Sequence, residues 1–170
     1  MRLFISVDFS EEILEVLKDS IDQLKRQCRS ANFTREENLH LTLAFIGETR
    51  RAEAAVRAMK RINMDSFPLT LSGFGHFGDL FWIGTEKNAA LHRLASNVKE
   101  ELLDEDFDID RKKFSPHITV ARRVRPQSAL GKIHLSVPHT SMTVKGFSLM
   151  ESRRHDGKLI YREIFWKSLD

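Results

Sequence analysis

Apolar and polar positions along the chain switch between two periods. Leu3-Phe4-Ile5 and Val7 make a short apolar run closed by Asp8, the pattern of a buried strand. From Ser10 the period lengthens: Ile13, Leu14, Leu17, Ile21 and Leu24 recur at helical spacing, predicting a helix buried along one face. Ser10 is its N-cap, with Glu11 and Glu12 in the first turn, where carboxylates meet the positive end of the helix dipole. Cys28 is read as part of this helical stretch, followed by a polar loop, and a strand is expected from about Leu39 to Ile46, ended by Gly47. Thr49 is expected to cap a second helix with a thin stripe of Ala52, Ala55, Val56 and Met59. Pro68 to Phe74 and Leu80 to Gly84 read as strands separated by a turn rich in glycine (Gly73, Gly75, Gly78). Asn88 caps a third helix carrying Leu91, Leu94, Ala95, Val98 and Leu102. An acidic loop from Asp104 to Asp110 and the run Lys112-Lys113-Phe114-Ser115-Pro116 lead into another strand. The remainder alternates as strands: Ile133 to Val137, Met142 to Met150, and Leu159 to Trp166, the last two joined by a hairpin turn at Asp156-Gly157.

Two of these strands carry one pattern. His40-Leu41-Thr42-Leu43 and His117-Ile118-Thr119-Val120 both read His, apolar, Thr, apolar, and stand 77 residues apart. Side chains alternate across a strand, so each His shares a face with its Thr while the apolar partners point to the core. The same offset lays Leu3-Phe4 on Leu80-Phe81 and the helix start at Ser10 on that at Lys87-Asn88. Strand, helix, loop and His-Thr strand thus occur twice in one order. This predicts an α+β fold of two similar lobes from an internal duplication. Each lobe is an antiparallel sheet with helices outside, and a pseudo-twofold axis brings both His strands to a central cleft. Two imidazoles and two hydroxyls in one cleft make an acid–base site.

At 170 residues the chain suits one bilobal domain over residues 1–170 sharing a core. Its net charge of +3 permits a polyanionic partner without demanding one. Cys28 is the single cysteine, so it forms no internal disulfide and reads as a buried, inert thiol. The first residues are too short an apolar run for a signal peptide and no stretch approaches membrane-spanning length, so a cytoplasmic protein is expected. His76, His92, His134, His139 and His155 lack the His-Thr pattern, and no His, Cys or Asp group has the spacing of a zinc site, so no metal is expected.

The segments Arg2-Leu3-Phe4-Ile5-Ser6-Val7-Asp8, Glu37 to Gly47, Phe114 to Arg122 and Leu149-Met150-Glu151-Ser152-Arg153 surround the two motifs. Together they resemble the two-histidine (2H) phosphoesterases, and within them the bacterial and archaeal RNA 2′,3′-cyclic phosphodiesterases, historically called 2′-5′ RNA ligases. The chain departs from that pattern before the first motif, where Phe33-Thr34-Arg35-Glu36 replaces an aromatic-Val-Arg-Pro run. The resemblance implies metal-independent hydrolysis of RNA 2′,3′-cyclic phosphate ends to 2′-phosphomonoesters, with no cofactor. It makes His40 the proton donor to the departing O3′ and His117 the proton acceptor from water. Thr42, Thr119 and Arg122 would hold the phosphate, and Phe45 would stack on a base or line the cleft. The residues alone leave Arg122 open to being part of a solvated basic patch with Arg123 and Arg125, and Phe45 open to being core. The implied partner is RNA with a cyclic phosphate end, tRNA fragments included, acted on by a monomer with no membrane and no metal. Reversible 2′-5′ RNA ligation, cleavage of small cyclic nucleotides or 2′-5′ oligonucleotides, and a non-catalytic RNA- or nucleotide-binding module are the alternatives.

Overall fold

The first apolar run becomes β1 (Arg2–Val7), and its lack of alternation has a simple cause: Leu3, Ile5 and Val7 are buried on one face, and Phe4 and Ser6 on the other. A strand covered on both faces belongs inside a sheet. In the computed structural model, which describes residues 1–170, β1 is an inner strand of a four-stranded antiparallel sheet. Its neighbours are β3 (Leu41–Glu48) on one side and β8 (Gly146–His155), followed by β9 (Lys158–Ser168), on the other. The second sheet has the order β2 (Cys28–Phe33), β6 (Ile118–Pro126), β5 (Leu80–Thr85), β4 (Phe67–Phe77), β7 (Ser141–Val144). Three helices accompany the sheets: α1 (Glu11–Lys25), α2 (Ala52–Lys60) and α3 (Ala89–Asp104). Ser10 caps α1 by accepting from the Ile13 N–H at 3.3 Å, and Asn88 caps α3 by accepting from the Leu91 N–H at 3.0 Å. Thirty-nine buried apolar residues, drawn from both sheets and all three helices, form one continuous cluster. No helix is long and apolar enough to cross a membrane.

The two sheets correspond strand by strand. Under the 77-residue offset β1 falls on β5 and β3 on β6, so the order β3-β1-β8-β9 matches β6-β5-β4-β7, with β2 added at the edge. Neither sheet is contiguous in the chain. The first takes its outer half from the last strands, and β2, from the first half, pairs with β6 in the second sheet.

Several sequence expectations change here. Cys28 opens strand β2 rather than continuing a helix, and burial pushes its thiol pKa up, which leaves it protonated and unreactive. The expected glycine-rich turn shrinks to Gly78-Asp79, because β4 runs on through Gly73 and Gly75. A Cβ on Gly75 would lie 2.3 Å from the Trp82 ring, so the indole of β5 rests against bare backbone there. Gly75→Ala is therefore expected to cost about 1–3 kcal/mol, read as a lowered urea midpoint with an unchanged m-value.

Ile133 to Val137 joins no sheet; two glutamine side chains of α1 and its end take the place of a partner strand. Gln27 donates to the His134 carbonyl at 2.7 Å and accepts from its N–H at 3.0 Å, and Gln23 does the same for Ser136 at 3.0 and 2.8 Å. The single strand expected from Met142 to Met150 breaks at Lys145, where the chain leaves the second sheet for the first. Thr49 accepts from the Arg51 N–H at 3.0 Å, one turn ahead of the α2 boundary, and Arg51 holds the cap position. Glu36 starts a 3₁₀ turn (Glu36–Asn38) preceded by extended Arg35 (φ −70°, ψ 148°), the backbone a proline there would also take.

Candidate active site

His40 and His117 each occupy the residue immediately before their strand, β3 and β6. Each is oriented by its own loop: His40 Nδ1 lies 2.7 Å from the Asn38 carbonyl and His117 Nδ1 lies 2.8 Å from the Ser115 carbonyl. A carbonyl only accepts, so Nδ1 carries the hydrogen in both rings and Nε2 is left for chemistry. In His40 that nitrogen sits 2.9 Å from the Thr42 hydroxyl. At the end of each motif the strand bulges, at the same place in both. Between Ala44 and Thr42, and between Ala121 and Thr119, two steps of the His strand face one step of its neighbour (Ile5 to Ser6; Phe81 to Trp82). Such bulges re-aim side chains next to a site.

The two histidines have unlike surroundings. His40 is packed by Phe4 (ring centroids 5.0 Å) and edge-on by Tyr161 (5.2 Å). Burial holds its pKa below the ordinary imidazole value; the hydrogen bond to Asn38 opposes this, and positive charge at Arg122 and His117 adds to it. His117 is half-buried and meets Phe77 edge-on at 5.4 Å, with Trp82 behind Phe77 at 5.4 Å. Thr34, in the segment that departs from the family pattern, ties β2 to the second motif. Its hydroxyl donates to the Thr119 carbonyl at 3.0 Å, and its N–H to Val120 at 2.9 Å.

Arg122 is exposed on the cleft side of β6, and its charge acts on both His40 and Tyr161. Phe45, its equivalent under the 77-residue offset, is 52% exposed. It stacks on Phe4 at 5.9 Å with the Arg2 guanidinium 5.7 Å over its ring, so it belongs to the surface rather than the core. His76 turns away, stacking on Phe81 and meeting the Gly78 carbonyl at 2.9 Å.

Four residues of this site carry no motif: Phe4, Phe77, Asn38 and Tyr161. Asn38 is buried and donates to the Leu159 carbonyl at 3.0 Å, pinning the His40 loop across to β9, from which Tyr161 reaches the ring. Tyr161 is the only tyrosine in the chain, but nothing local to it announces a contact 121 residues away.

Two imidazoles at equivalent strand starts of two matching sheets, each oriented by a carbonyl, with a guanidinium beside them, define the class of two-histidine phosphoesterases. The model of the 2′-5′ RNA ligase superfamily matches residues 13–156. Over 131 residues the chain is 35% identical to the RNA 2′,3′-cyclic phosphodiesterase of Thermotoga maritima, covering 72% of this chain and 70% of that one. It is 30% identical over 174 aligned positions to the protein of that name from Archaeoglobus fulgidus, covering 96% and 98%. The crystal structure of E. coli LigT complexed with 3′-AMP matches with a TM-score of 0.81 at 26% identity, covering 99% of this chain and 96% of that one. The chain belongs to the 2′-5′ RNA ligase superfamily.

Proposed function

We propose that this protein hydrolyses RNA ends bearing a 2′,3′-cyclic phosphate to 2′-phosphomonoesters, without a metal, using His40 as proton donor and His117 as proton acceptor. The observation that carries the reading is the shared orientation of the two rings: both Nδ1 hydrogens are committed to carbonyls, and both Nε2 atoms are left for acid–base work. His117 Nε2 takes a proton from water as its oxygen bonds to phosphorus; the P–O3′ bond breaks, and O3′ takes the proton from His40 Nε2. Thr42, Thr119 and Arg122 hold the non-bridging oxygens, where charge builds in the transition state, and Phe45 offers an exposed ring to a base.

The depressed His40 pKa has to be reconciled with an acid's role. In the free protein burial, Arg122 and His117 all disfavour its cation. A cyclic phosphate brings one negative charge to the same place and favours the cation, so substrate binding draws the proton onto His40. The alkaline limb set by this group is thus expected at lower pH in kcat/KM, which reports the free protein, than in kcat, which reports the complex. Coincident limbs would show that the bound phosphate does not protonate His40.

The same depression favours one second reading, in which neutral His40 is the base, the roles exchange, and O2′ leaves to give a 3′-phosphate. Product analysis of a short RNA ending in 2′,3′-cyclic phosphate, with EDTA present, decides between them. A 2′-phosphate is the expected product; a 3′-phosphate exchanges the roles, and loss of activity to EDTA removes the metal-independent mechanism. Comparing turnover of 2′-5′-linked oligonucleotides and small cyclic nucleotides separates the remaining enzymatic alternatives. On this reading the protein works as a cytoplasmic monomer on RNA ends such as those of cleaved tRNA, in keeping with its mild positive charge and inert buried thiol.

A further inference from the structure

Strand β6 holds a second irregularity beyond the His-Thr motif. Asn32 pairs with Arg122 and Ser30 with Arg125, so two steps along β2 face three along β6. The extra residue is accommodated at Arg123, whose φ of 54° lies in the left-handed region that non-glycine residues avoid. Val124 keeps its side chain buried and donates its N–H to the Asp79 carbonyl at 3.1 Å, while Arg123 and Arg125 stay exposed, and Arg125, opposite Ser30, shares the face of Arg122, opposite Asn32. Their side chains, with Ser30, Ala31, Asn32 and Asp79, line an open hollow of about 520 Å³. Neither guanidinium has an ion-pair partner, although Arg57 on α2 and Arg61 at its end are both paired with carboxylates of α3 and its end. Two guanidiniums face one carboxylate, Asp79, which makes the hollow net positive.

The ladder places this hollow two β2 residues from Arg122, about 7 Å along the strand. We propose that it is a subsite for the sugar–phosphate unit that precedes the cyclic-phosphate nucleotide of an RNA substrate. The backbone anion lies against Arg123 and Arg125, and the hydroxyl of Ser30 and the amide of Asn32 supply neutral hydrogen bonds. The inference rests on the phosphodiesterase reading and deepens it: the protein prefers an oligonucleotide end to a lone cyclic nucleotide. Arg122 serves the reacting phosphate and the bulge hands the strand on to the next one. Holding a non-glycine residue left-handed is a local cost that a simple extended strand would not carry.

The test uses the full chain with Arg123→Gly and Arg125→Gln together. Glycine accepts the backbone at position 123, so the pair removes charge without adding strain. Substrates are 2′,3′-cyclic AMP and a short oligoribonucleotide ending in a 2′,3′-cyclic phosphate. For the oligonucleotide KM is expected to rise about tenfold, with a salt slope flatter by about 0.7 for the one phosphate released; its kcat, and both constants for the mononucleotide, stay as they were. Asp79→Asn is expected to lower the oligonucleotide KM; a rise would show that the hollow takes a hydrogen-bond donor and would overturn the assignment. Equal losses on both substrates, or none on either, would also overturn it. Should the unaltered protein turn over neither substrate, the phosphodiesterase reading itself fails. Fluorescence anisotropy with a labelled oligonucleotide then still judges the hollow, which is upheld by weaker binding in the double variant and overturned by equal binding.

Discussion

His40→Ala is expected to lower kcat by about 10²–10⁴-fold, the range a positioned general acid supplies, while affinity for a 2′-phosphate RNA product changes far less. The separation follows from geometry. On the proposed mechanism Nε2 of His40 moves a proton, while Thr42, Thr119, Arg122 and the exposed Phe45 are separate side chains that would remain to hold phosphate and base. His117→Ala should fall in the same range, and the double variant should lose little more than the worse single one, because groups that act as a unit are not additive. Stopped-flow turnover of a cyclic-ended RNA, set beside product binding by calorimetry, makes the measurement. Turnover surviving in both single variants would remove the two-histidine mechanism. Affinity falling in step with turnover would recast both residues as binding groups.

A second large effect is expected beneath the site. Phe4 is 2% exposed and meets three rings, His40 at 5.0 Å, Tyr161 at 4.9 Å and Phe45 at 5.9 Å. Phe4→Ala should destabilise the fold by about 3–5 kcal/mol, as removal of a buried aromatic does. The milder Phe4→Leu keeps most of the volume and reads the electrostatics. Burial is the main cause of the depressed His40 pKa, and it acts against the cation. Admitting water must therefore raise the pKa, moving the NMR titration of the His40 ring and the alkaline limb of kcat/KM to higher pH together. A titration that stays in place would assign the depression to Tyr161 and the neighbouring charges instead.

What the chain reveals locally was legible before any coordinates. The spacing of Ile13, Leu17, Ile21 and Leu24, the caps at Ser10 and Asn88, and the Asp156-Gly157 turn, both of whose residues have positive φ, are decided within a few residues of themselves. The paired motifs and their offset also carried the matching of the two sheets, because a repeated pattern is a statement about tertiary structure. Illegible were features that depend on a distant partner. Cys28 to Phe33 is a strand only because β6 offers an edge, and Ile133 to Val137 fails to join a sheet because Gln23 and Gln27 satisfy its backbone first. Phe45 shows the limit of alternation. It follows the apolar pattern of β3, yet the bulge beside Ala44 and a second irregularity before Gly47 leave it outside the core. Tyr161 and Asn38 enter the site through a contact between a loop near residue 38 and a strand near residue 160, which no window along the chain contains.

The interleaving of the two sheets has a consequence for how the protein comes into being. Ser6 pairs with Thr42 on one side and with Ser148 on the other, so one edge of β1 waits for a strand made some 140 residues later. A chain emerging from the ribosome carries both histidines well before β8 and β9 exist. Until then the first histidine lacks the Tyr161 ring, and the Asn38 amide lacks the Leu159 carbonyl that fixes its loop. On the proposed mechanism, a nascent or prematurely ended chain that lacks β8 and β9 has the residues of the active site without the contacts that pack and anchor His40.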